Sequence, residues 1–470
     1  MMELIKKNIH MNRQKGNAVS QITLDDDFII PDAMEDVSQV LLDNGEIQIE
    51  STRAQGDKVL IRGKLLFRVL YRKAGGGLQA LGGEAPFDEV INVPDLEERD
   101  YIQSLWVLED LNASMINSRK LSIKAVVTLE VRVEAAVDIE TDEAKTEVLK
   151  RNIDVAAIAV RRKDTYRIKE TIQISGNKPN VESILWTDMR LRGVSCRPMD
   201  GAVHIDGELM VFLIYAAEGE HTPVQWIEES VPFSGEVELP AVGVRILHRG
   251  IEIKPDYDGE MREFDLDAVL DLDIKLYREE NIELLSDLYA TDRELVLDTT
   301  EACFDKLLTR NICKCKVNEQ LKLQKPERIL QICHSNGTVK LDEAEAGEDG
   351  LHIEGVLEVS LLYLTDDDTE PVGASTEVIP FHFVAEADGI NPESVWQLNM
   401  GVDQMTAVML GGDSVEVKAV ISADLLVLQP IREQVVAGVR AEPLDMKKLQ
   451  EMPGIVGYVV QPGDSLWKIA

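Results

Sequence analysis

The same pattern of residues occurs three times along this chain, and that repetition restricts the possible folds more than any other feature. Each copy has a glycine followed eight residues later by a tyrosine, and the glycines are 144 and 148 residues apart. A fixed period of this kind indicates tandem copies of one folding unit. In a chain of 470 residues it predicts three domains, because one domain usually takes about 150 residues. The three pairs are Gly63 and Tyr71, Gly207 and Tyr215, and Gly355 and Tyr363.

Four further anchors keep the same order in every copy. An Asn-Ile pair opens each copy, a proline precedes the glycine, a Pro-Phe pair follows it, and an Ala-Val pair comes later. We therefore predict repeats over 1–146, 147–305 and 306–437, a linker over 438–456 and a further module over 457–470. The anchors are Asn8-Ile9, Asn152-Ile153 and Asn311-Ile312; Pro31, Pro179 and Pro326; Pro86-Phe87, Pro232-Phe233 and Pro380-Phe381; Ala125-Val126, Ala268-Val269 and Ala419-Val420.

The segment around each glycine alternates in polarity as a β-strand does. In the first copy Ile61, Leu65 and Phe67 share one face with Tyr71, because alternate side chains of a strand point the same way. The second half of the strand is mostly apolar on both faces in all three copies, which predicts that it ends between two layers. The glycine falls on the inward face, where it indicates a bulge or a close backbone crossing.

Short spacing between turn signals extends the β pattern to the whole repeat. Strands also fit Leu105–Leu111, Val244–Ile253 and Val395–Met400, while Glu143–Arg151 and Glu301–Arg310 could be short helices between copies. We predict a mostly β chain of three tandem, homologous domains, each a β-sandwich or open barrel. The glycine runs 75–77 and 82–83 are interpreted as turns.

Composition excludes several classes of function. The formal charge of −36 repels the phosphate backbone of nucleic acids and an anionic membrane surface. Five cysteines are an odd number and do not form a disulfide framework, which favours a reducing compartment. No apolar run reaches the roughly 18 residues of a membrane-spanning helix. The first residues lack the apolar core of a secretion signal, so we expect a cytoplasmic location.

The last residues, Tyr458 to Ala470, predict a short strand, a turn at Pro462-Gly463 and the start of a helix with Asp464 or Ser465 as N-cap. They resemble the opening of a LysM module, a βααβ unit. By this resemblance the loop of Gly463, Asp464, Ser465 and Leu466 matches the first ligand-binding loop. The second helix, the closing strand and the second loop are not in the sequence, so we expect an incomplete module without a formed groove.

Three such β repeats followed by a LysM opening resemble the SPOCS-domain proteins of spore-forming Firmicutes, which act in spore-coat assembly. The resemblance covers the chain from Asn8 to Ala470. It implies a non-enzymatic scaffold in the mother cell, at the forespore surface. Its partners would be the ATPase that polymerises around the forespore and other coat proteins, with LysM implicated in the contact. The alternative is a LysM protein that binds N-acetylglucosamine polymers of peptidoglycan, which would require export.

No motif in the sequence assembles an enzyme. Neither a phosphate-binding loop nor a nucleophile elbow is present. Cys313, Cys315 and Cys333 with His334 could form a zinc set, but the other copies have no matching cysteines, and we interpret them as reduced thiols. His204 and His352 are interpreted as partly exposed strand residues, and the acidic run 366–368 as a hairpin tip. We expect no catalytic residue, metal site or cofactor.

Overall fold

A computed structural model gives the fold of this chain. It describes residues 5–97, 99–143, 148–199, 202–217, 224–238, 244–255, 262–290, 293–323, 328–367, 372–411, 413–455, 457–464 and 469. Within these residues nearly all regular structure is β, and one helix, α1, spans Met446–Glu451. Among the residues described, no helix combines the length and the apolar character needed to cross a membrane.

Each copy of the pattern folds into six strands. The first copy contains β1 (Ile5–Ile29), β2 (Val37–Gln55), β3 (Lys58–Lys73), β4 (Leu78–Asn92), β5 (Tyr101–Asn117) and β6 (Lys120–Glu143). The second contains β7 (Val148–Gln173), β8 (Val181–Met199), β9 (Ala202–Ala217), β10 (Gln225–Glu238), β11 (Val244–Pro255) and β12 (Glu263–Leu288). The third contains β13 (Glu294–Lys322), β14 (Ile329–Ala346), β15 (Leu351–Thr365), β16 (Val372–Ala385), β17 (Val395–Gly411) and β18 (Ser414–Glu442).

The strands of each repeat form two antiparallel, three-stranded sheets with the same order. Repeat 1 has the sheets β1-β6-β5 and β2-β3-β4, and repeats 2 and 3 have the sheets β7-β12-β11 and β8-β9-β10, and β13-β18-β17 and β14-β15-β16. The inward faces of the two sheets pack together into one aliphatic core per repeat. The predicted mostly β, tandem-repeat fold is therefore confirmed.

The two sheets also approach each other at their edges. In repeat 1, Thr52 of β2 lies 3.1 Å from Ser104 of β5, oxygen to oxygen. At the opposite edge Ser20 of β1 donates to Glu89 of β4 at 2.7 Å. Side chains thus bridge both open seams of the sandwich, which gives it the character of a partly closed barrel.

The glycine and Pro-Phe anchors meet across neighbouring strands. Gly63 pairs with Phe87, Gly207 with Phe233, and Gly355 with Phe381. A Cβ atom on Gly63 would lie only 2.7 Å from Cζ of Phe87, so the missing side chain makes room for the ring. Two anchors that are far apart in sequence are therefore one packing unit in each repeat.

A β-bulge lies opposite each of these glycines, on the strand that precedes it. The pairing register shifts between Ile49 and Ser51 in β2, and the same shift occurs in the other copies, between Arg192 and Ser195 in β8 and between Leu341 and Glu343 in β14. The bulge predicted at the glycine is confirmed, although the extra residues belong to the neighbouring strand. A bulge increases the local twist of a sheet, and here it occurs where the phenylalanine ring covers the glycine.

The prolines of the three Pro-Phe pairs lie in edge strands, where a missing backbone N–H is tolerated. Pro86, Pro232 and Pro380 are in β4, β10 and β16, the edge strands of their sheets. An edge strand exposes unpaired backbone groups that invite a further strand, and proline removes one of the donors. Each repeat therefore protects one edge of the sheet that contains its glycine strand, β2-β3-β4, β8-β9-β10 or β14-β15-β16.

An arginine holds the proline loop after the first strand in repeats 1 and 2. The Arg119 guanidinium donates to the carbonyls of Ile30, at 3.0 Å, and Pro31, at 2.9 Å. Arg262 donates in the same way to the carbonyls of Ile174 and Ser175. Pro326, the third anchor proline, lies outside the described residues.

Three local predictions were wrong. Residues Glu301–Arg310 are not a helix but part of β13. Of the predicted helix Glu143–Arg151, Glu143 ends β6 and Val148–Arg151 belong to β7, and residues 144–147 lie outside the described residues. These strand residues pair across long two-stranded ribbons, and this non-local pairing outweighs their local helix propensity. Gly82 and Gly83 are not a turn but lie within β4, whereas Gly76 and Gly77 do form the predicted turn with positive φ.

The observed strands also extend across some predicted domain limits. β13 runs through residue 305 and β18 runs through residue 437. The limits themselves stay a prediction, because strand ends alone do not define where a domain begins.

Candidate interaction site

The three repeats meet in a shared apolar cluster, called the central junction here. Leu70, Ile214 and Leu362 each directly precede the tyrosine anchor of their repeat, and all three are buried in this cluster. The second halves of β3, β9 and β15, which were predicted to lie between two layers, therefore have the core of their own repeat on one face and the central junction on the other. Its buried members are Leu70, Leu185, Trp186, Phe212, Ile214, Cys333, Leu362 and Val372.

Repeats 1 and 3 touch directly, so the three repeats form a closed ring. The Arg72 guanidinium donates to the backbone carbonyl of Val372 at 3.1 Å and to Gln39 Oε1 at 2.7 Å. Arg72 is only 8% exposed, and a buried charged donor of this kind is costly to lose. This bond joins residues that are 300 positions apart in the chain.

Repeats 2 and 3 are joined by a buried histidine and carboxylate. His334 Nε2 of β14 lies 2.8 Å from Asp188 Oδ2 of β8, and the His334 ring stacks on Phe212 with centroids 3.8 Å apart and an interplanar angle of 11°. Burial raises the pKa of Asp188, but the hydrogen bond and charge of His334, with Arg190 at 3.7 Å, outweigh it and leave that pKa lowered. The carboxylate is thus stabilised in its ionised form inside the interface.

A second contact between repeats 2 and 3 lies at the β8 bulge. Asp403 of β17 accepts a hydrogen bond from the Gly193 backbone N at 3.3 Å. The other oxygen of Asp403 pairs with Lys314 Nζ at 2.7 Å. The bulge therefore serves as an interface element as well as a bend in the strand.

Repeats 1 and 2 are joined by a polar contact beside the junction. The Arg68 guanidinium donates to Thr187 Oγ1, and desolvation lowers the pKa of Arg68. β4 of repeat 1 also contacts β8 of repeat 2, and β16 of repeat 3 contacts β2 of repeat 1. The edge strands of successive repeats thus face one another around the ring.

The long outer strands form a second region of contact between the repeats. β7 and β12 of repeat 2 continue past their sandwich as a ribbon, as do β13 and β18 of repeat 3. Val155, Ile282, Leu284, Phe304 and Val435 form a buried cluster between these ribbons. The ribbons are apolar where they meet, which explains why their sequence does not show simple strand alternation.

The terminal segment that resembles LysM is highly exposed. Tyr458, Val459 and Val460 are 54%, 79% and 67% exposed, and they do not pair as a strand in the described part of the tail. The short strand predicted at the start of the LysM-like segment is therefore not formed in the described residues 457–460. These side chains are available to a partner.

The predicted turn in this segment is present and is held by one carboxylate. Asp464 Oδ2 accepts hydrogen bonds from the Tyr458 hydroxyl at 3.0 Å and from the Gln461 backbone N at 2.7 Å. Gly463 has a φ of 94°, which a residue with a Cβ rarely adopts. Of the predicted loop residues, Ser465 and Leu466 lie outside the described residues, so the structure places only Gly463 and Asp464.

The cysteines and histidines do not gather into a metal site within the described residues. Cys303, Cys313, Cys315 and Cys333 are free thiols, and burial raises the pKa of Cys333 to about 12. His204 is half-buried beside Ser234, and His352 is exposed beside Asp349. Of the predicted acidic hairpin tip at 366–368, only Asp366 and Asp367 lie within the described residues.

Sequence reasoning missed the residues that join the repeats. His334 occupies the strand position of Leu42 in repeat 1 and Trp186 in repeat 2, since these residues pair with Leu362, Leu70 and Ile214. A polar residue at a position that is apolar in both other copies is a signal that could have identified the interface.

Comparison with known protein families gave one match. A family model described as SipL, SPOCS domain, matches residues 36–116, 180–254 and 328–410, which together are just over half of the chain. Each matched segment begins one residue before β2, β8 or β14 and ends within β5, β11 or β17. No curated protein and no solved structure matches.

Proposed function

Because the chain belongs to the SipL family of SPOCS-domain proteins, we propose that it is a non-enzymatic scaffold of spore-coat assembly. Membership of this family gives it a sporulation-related, coat-associated role. In the proposal it acts in the mother-cell cytoplasm at the forespore surface, where it binds the forespore-coat ATPase and other coat proteins. The three matched segments carry this proposal.

The closed ring supports a scaffolding role. Arg72, Asp188 and His334 bind the repeats to one another through buried polar contacts, so the three copies present their outer faces in a fixed arrangement. The buried titratable pair of Asp188 and His334 is used to join two repeats, which is a structural use of groups that an enzyme would aim at a substrate. A rigid body with three related faces suits the simultaneous binding of several partners.

The exposed tail supports a separate contact for the ATPase. Tyr458, Val459 and Val460 present apolar side chains, and the Asp464 carboxylate fixes the turn that follows. Exposed apolar side chains on a preorganised turn favour binding to a protein surface, because less conformational entropy is lost on binding. In the proposal, this LysM-like segment makes the contact.

The test is a binding experiment with the full chain and a matched pair of variants. The double variant Tyr458→Ala, Val460→Ala removes exposed apolar groups of the tail, and Val90→Ala removes an exposed valine of β4, which is 49% exposed. We expect retention on the polymerised ATPase by the wild type and by Val90→Ala, and loss of retention by the tail variant. Retention of the wild type on purified peptidoglycan but not on the ATPase would overturn the proposal in favour of the glycan-binding alternative.

A further inference from the structure

The sheet that contains the glycine strand has, in each repeat, a solvent-facing side at the end away from the central junction, called the distal face here. The glycine strand reaches the junction with the residue before its tyrosine, and the distal face lies about ten residues earlier, or about 30 Å along a strand. Val90 and Val384 take equivalent positions on the distal faces of repeats 1 and 3, because they pair with Leu60 and His352, each three residues before its glycine. The two valines are 49% and 36% exposed.

The distal face of repeat 1 carries an excess of positive charge. Arg53 of β2 and Lys58 of β3 lie on the same side of the sheet as the exposed valine. Both side chains are exposed, and neither forms an ion pair with another described residue. Arg62, the next cation on this face, is already paired with Asp88 at 2.7 Å. Two cations are therefore available to a partner, with one acid, Asp57, in the adjoining turn.

The equivalent positions of repeat 3 carry carboxylates. Glu345 of β14 stands where repeat 1 has Arg53, Glu354 of β15 stands where it has Arg62, and Glu343 pairs with Glu354 across the strands. All three carboxylates are exposed and form no salt bridge within the described part of the chain. The charge of Glu345 raises the pKa of Glu343, so like charges repel one another here. A cation brought by a partner would relieve this repulsion.

Repeat 2 lacks this combination of an exposed valine with unpaired charge. Arg197 and Asp206, at the positions of Arg53 and Arg62, form an ion pair with each other. Glu236 stands where the other copies have the exposed valine. Since repeat 2 forms the same sheet without them, the fold itself does not require the valines and the opposite charges of repeats 1 and 3.

We propose that the distal face of repeat 1 binds the distal face of repeat 3 in a second copy of this chain. Each face presents an exposed valine beside charges that complement those of the other face. The two faces belong to different repeats, so the contact is head-to-tail and every bound copy retains one free face. Repetition of such a contact produces open chains or a closed ring. This self-association is separate from the proposed contact between the terminal segment and the ATPase.

The net charge of the chain sets the conditions for this contact. A formal charge of −36 makes two copies repel each other at long range. At about 0.15 M salt, exposed charges farther apart than about 8 Å are largely screened. The local attraction between the two distal faces then outweighs the repulsion between the rest of the two molecules.

Sedimentation velocity of the full chain at rising concentration in about 0.15 M salt tests the proposal, and we expect the wild type to form dimers and longer oligomers. Arg53→Glu with Lys58→Glu makes the repeat 1 face acidic, and Glu345→Lys with Glu354→Lys makes the repeat 3 face basic. Each double variant alone should associate at least about tenfold more weakly, because like charges then meet. An equal mixture of the two should associate again, since opposite charges meet in every contact between them. A wild type that stays monomeric, or a mixture that does, would overturn the proposal.

Two controls separate this contact from other causes of association. Lys163→Glu with Lys316→Glu alters the net charge as much as the repeat 1 variant does, at exposed lysines of β7 and β13, and it should associate as the wild type does. Tyr458→Ala with Val460→Ala should do so too, and loss of association in this tail variant would assign the contact to the tail and sink the proposal. If one charge-reversed variant fails to fold, the other, compared with the lysine control, still decides the matter.

Discussion

The ring of Phe87 lies over Gly63 on the neighbouring strand, with Cζ only 2.7 Å from where a Cβ atom on the glycine would be. The backbone oxygen of Gln48 lies 2.8 Å from the same point. The two most regular anchors of the sequence are therefore explained by one close contact, and it recurs at Gly207 and Gly355.

We expect Gly63→Ala to destabilise the fold by about 1–3 kcal/mol, the usual cost of forcing an extra group into a packed site. Gly82→Ala is the matched control, because Gly82 is exposed in the neighbouring strand β4 and its added methyl group would meet only the Phe67 carbonyl at 3.7 Å. The free energy of unfolding in urea measures both. Equal stability of the two variants would contradict the role given to the glycine.

Arg72 closes the ring, and its loss is expected to loosen repeat 3 from repeat 1. Arg72→Met keeps an apolar stem but leaves the buried Val372 carbonyl without this donor, at a cost of about 1–3 kcal/mol. The control Arg62→Met removes an exposed arginine paired with Asp88, and it is expected to have little effect. Denaturant unfolding followed by tryptophan fluorescence checks both, and similar midpoints for the two variants would argue against ring closure through Arg72.

The core tyrosines predict loss of stability at alkaline pH. Burial raises the pKa values of Tyr71 and Tyr215 above their ordinary value, so each group contributes stability that is present below about pH 10 and is lost as pH rises through the raised, folded-state value. We expect phenolate absorbance to appear together with unfolding. Tyr71→Phe should weaken this pH dependence, and phenolate absorbance from a still-folded chain would count against the prediction.

Cys333 is expected to be the least reactive of the described thiols. Burial raises its pKa to about 12, and the thiolate is the reactive form. Alkylation of the native chain at neutral pH, followed by mass spectrometry, should label Cys303 before Cys333. Denaturation should remove the difference, and rapid labelling of Cys333 in the native ring would contradict its buried position.

The turn of the terminal segment depends on Asp464. Asp464→Ala removes the acceptor for Tyr458 and Gln461, so the segment should become more mobile and be cleaved faster by chymotrypsin after Tyr458. The repeats should unfold at the same denaturant concentration as before, because the tail is exposed. An unchanged cleavage rate would mean that the carboxylate does not hold the turn.

The repeats and their β character follow from the sequence because the anchors and the strand alternation are local. The bulge at Gly63 was predictable for the same reason: a glycine on an inward face has few other uses. The ribbon at Glu301–Arg310 was not, since its strand is stabilised by partners more than a hundred residues away in β18. The contact between Asp188 and His334 depends on the packing of two whole repeats, and only a comparison of the three copies marks it, because His334 takes the place of Leu42 and Trp186.

The bond from Arg72 to Val372 also sets a condition on how this protein is made. The acceptor is synthesised 300 residues after the donor, which at ~5–20 residues per second takes about 15–60 s of translation. During that interval the first repeat emerges from the ribosome with Leu70 facing water, because the surface that covers it has not yet been translated. We therefore expect the nascent chain to expose this apolar surface for longer than a string of independent domains would, as a consequence of its circular closure.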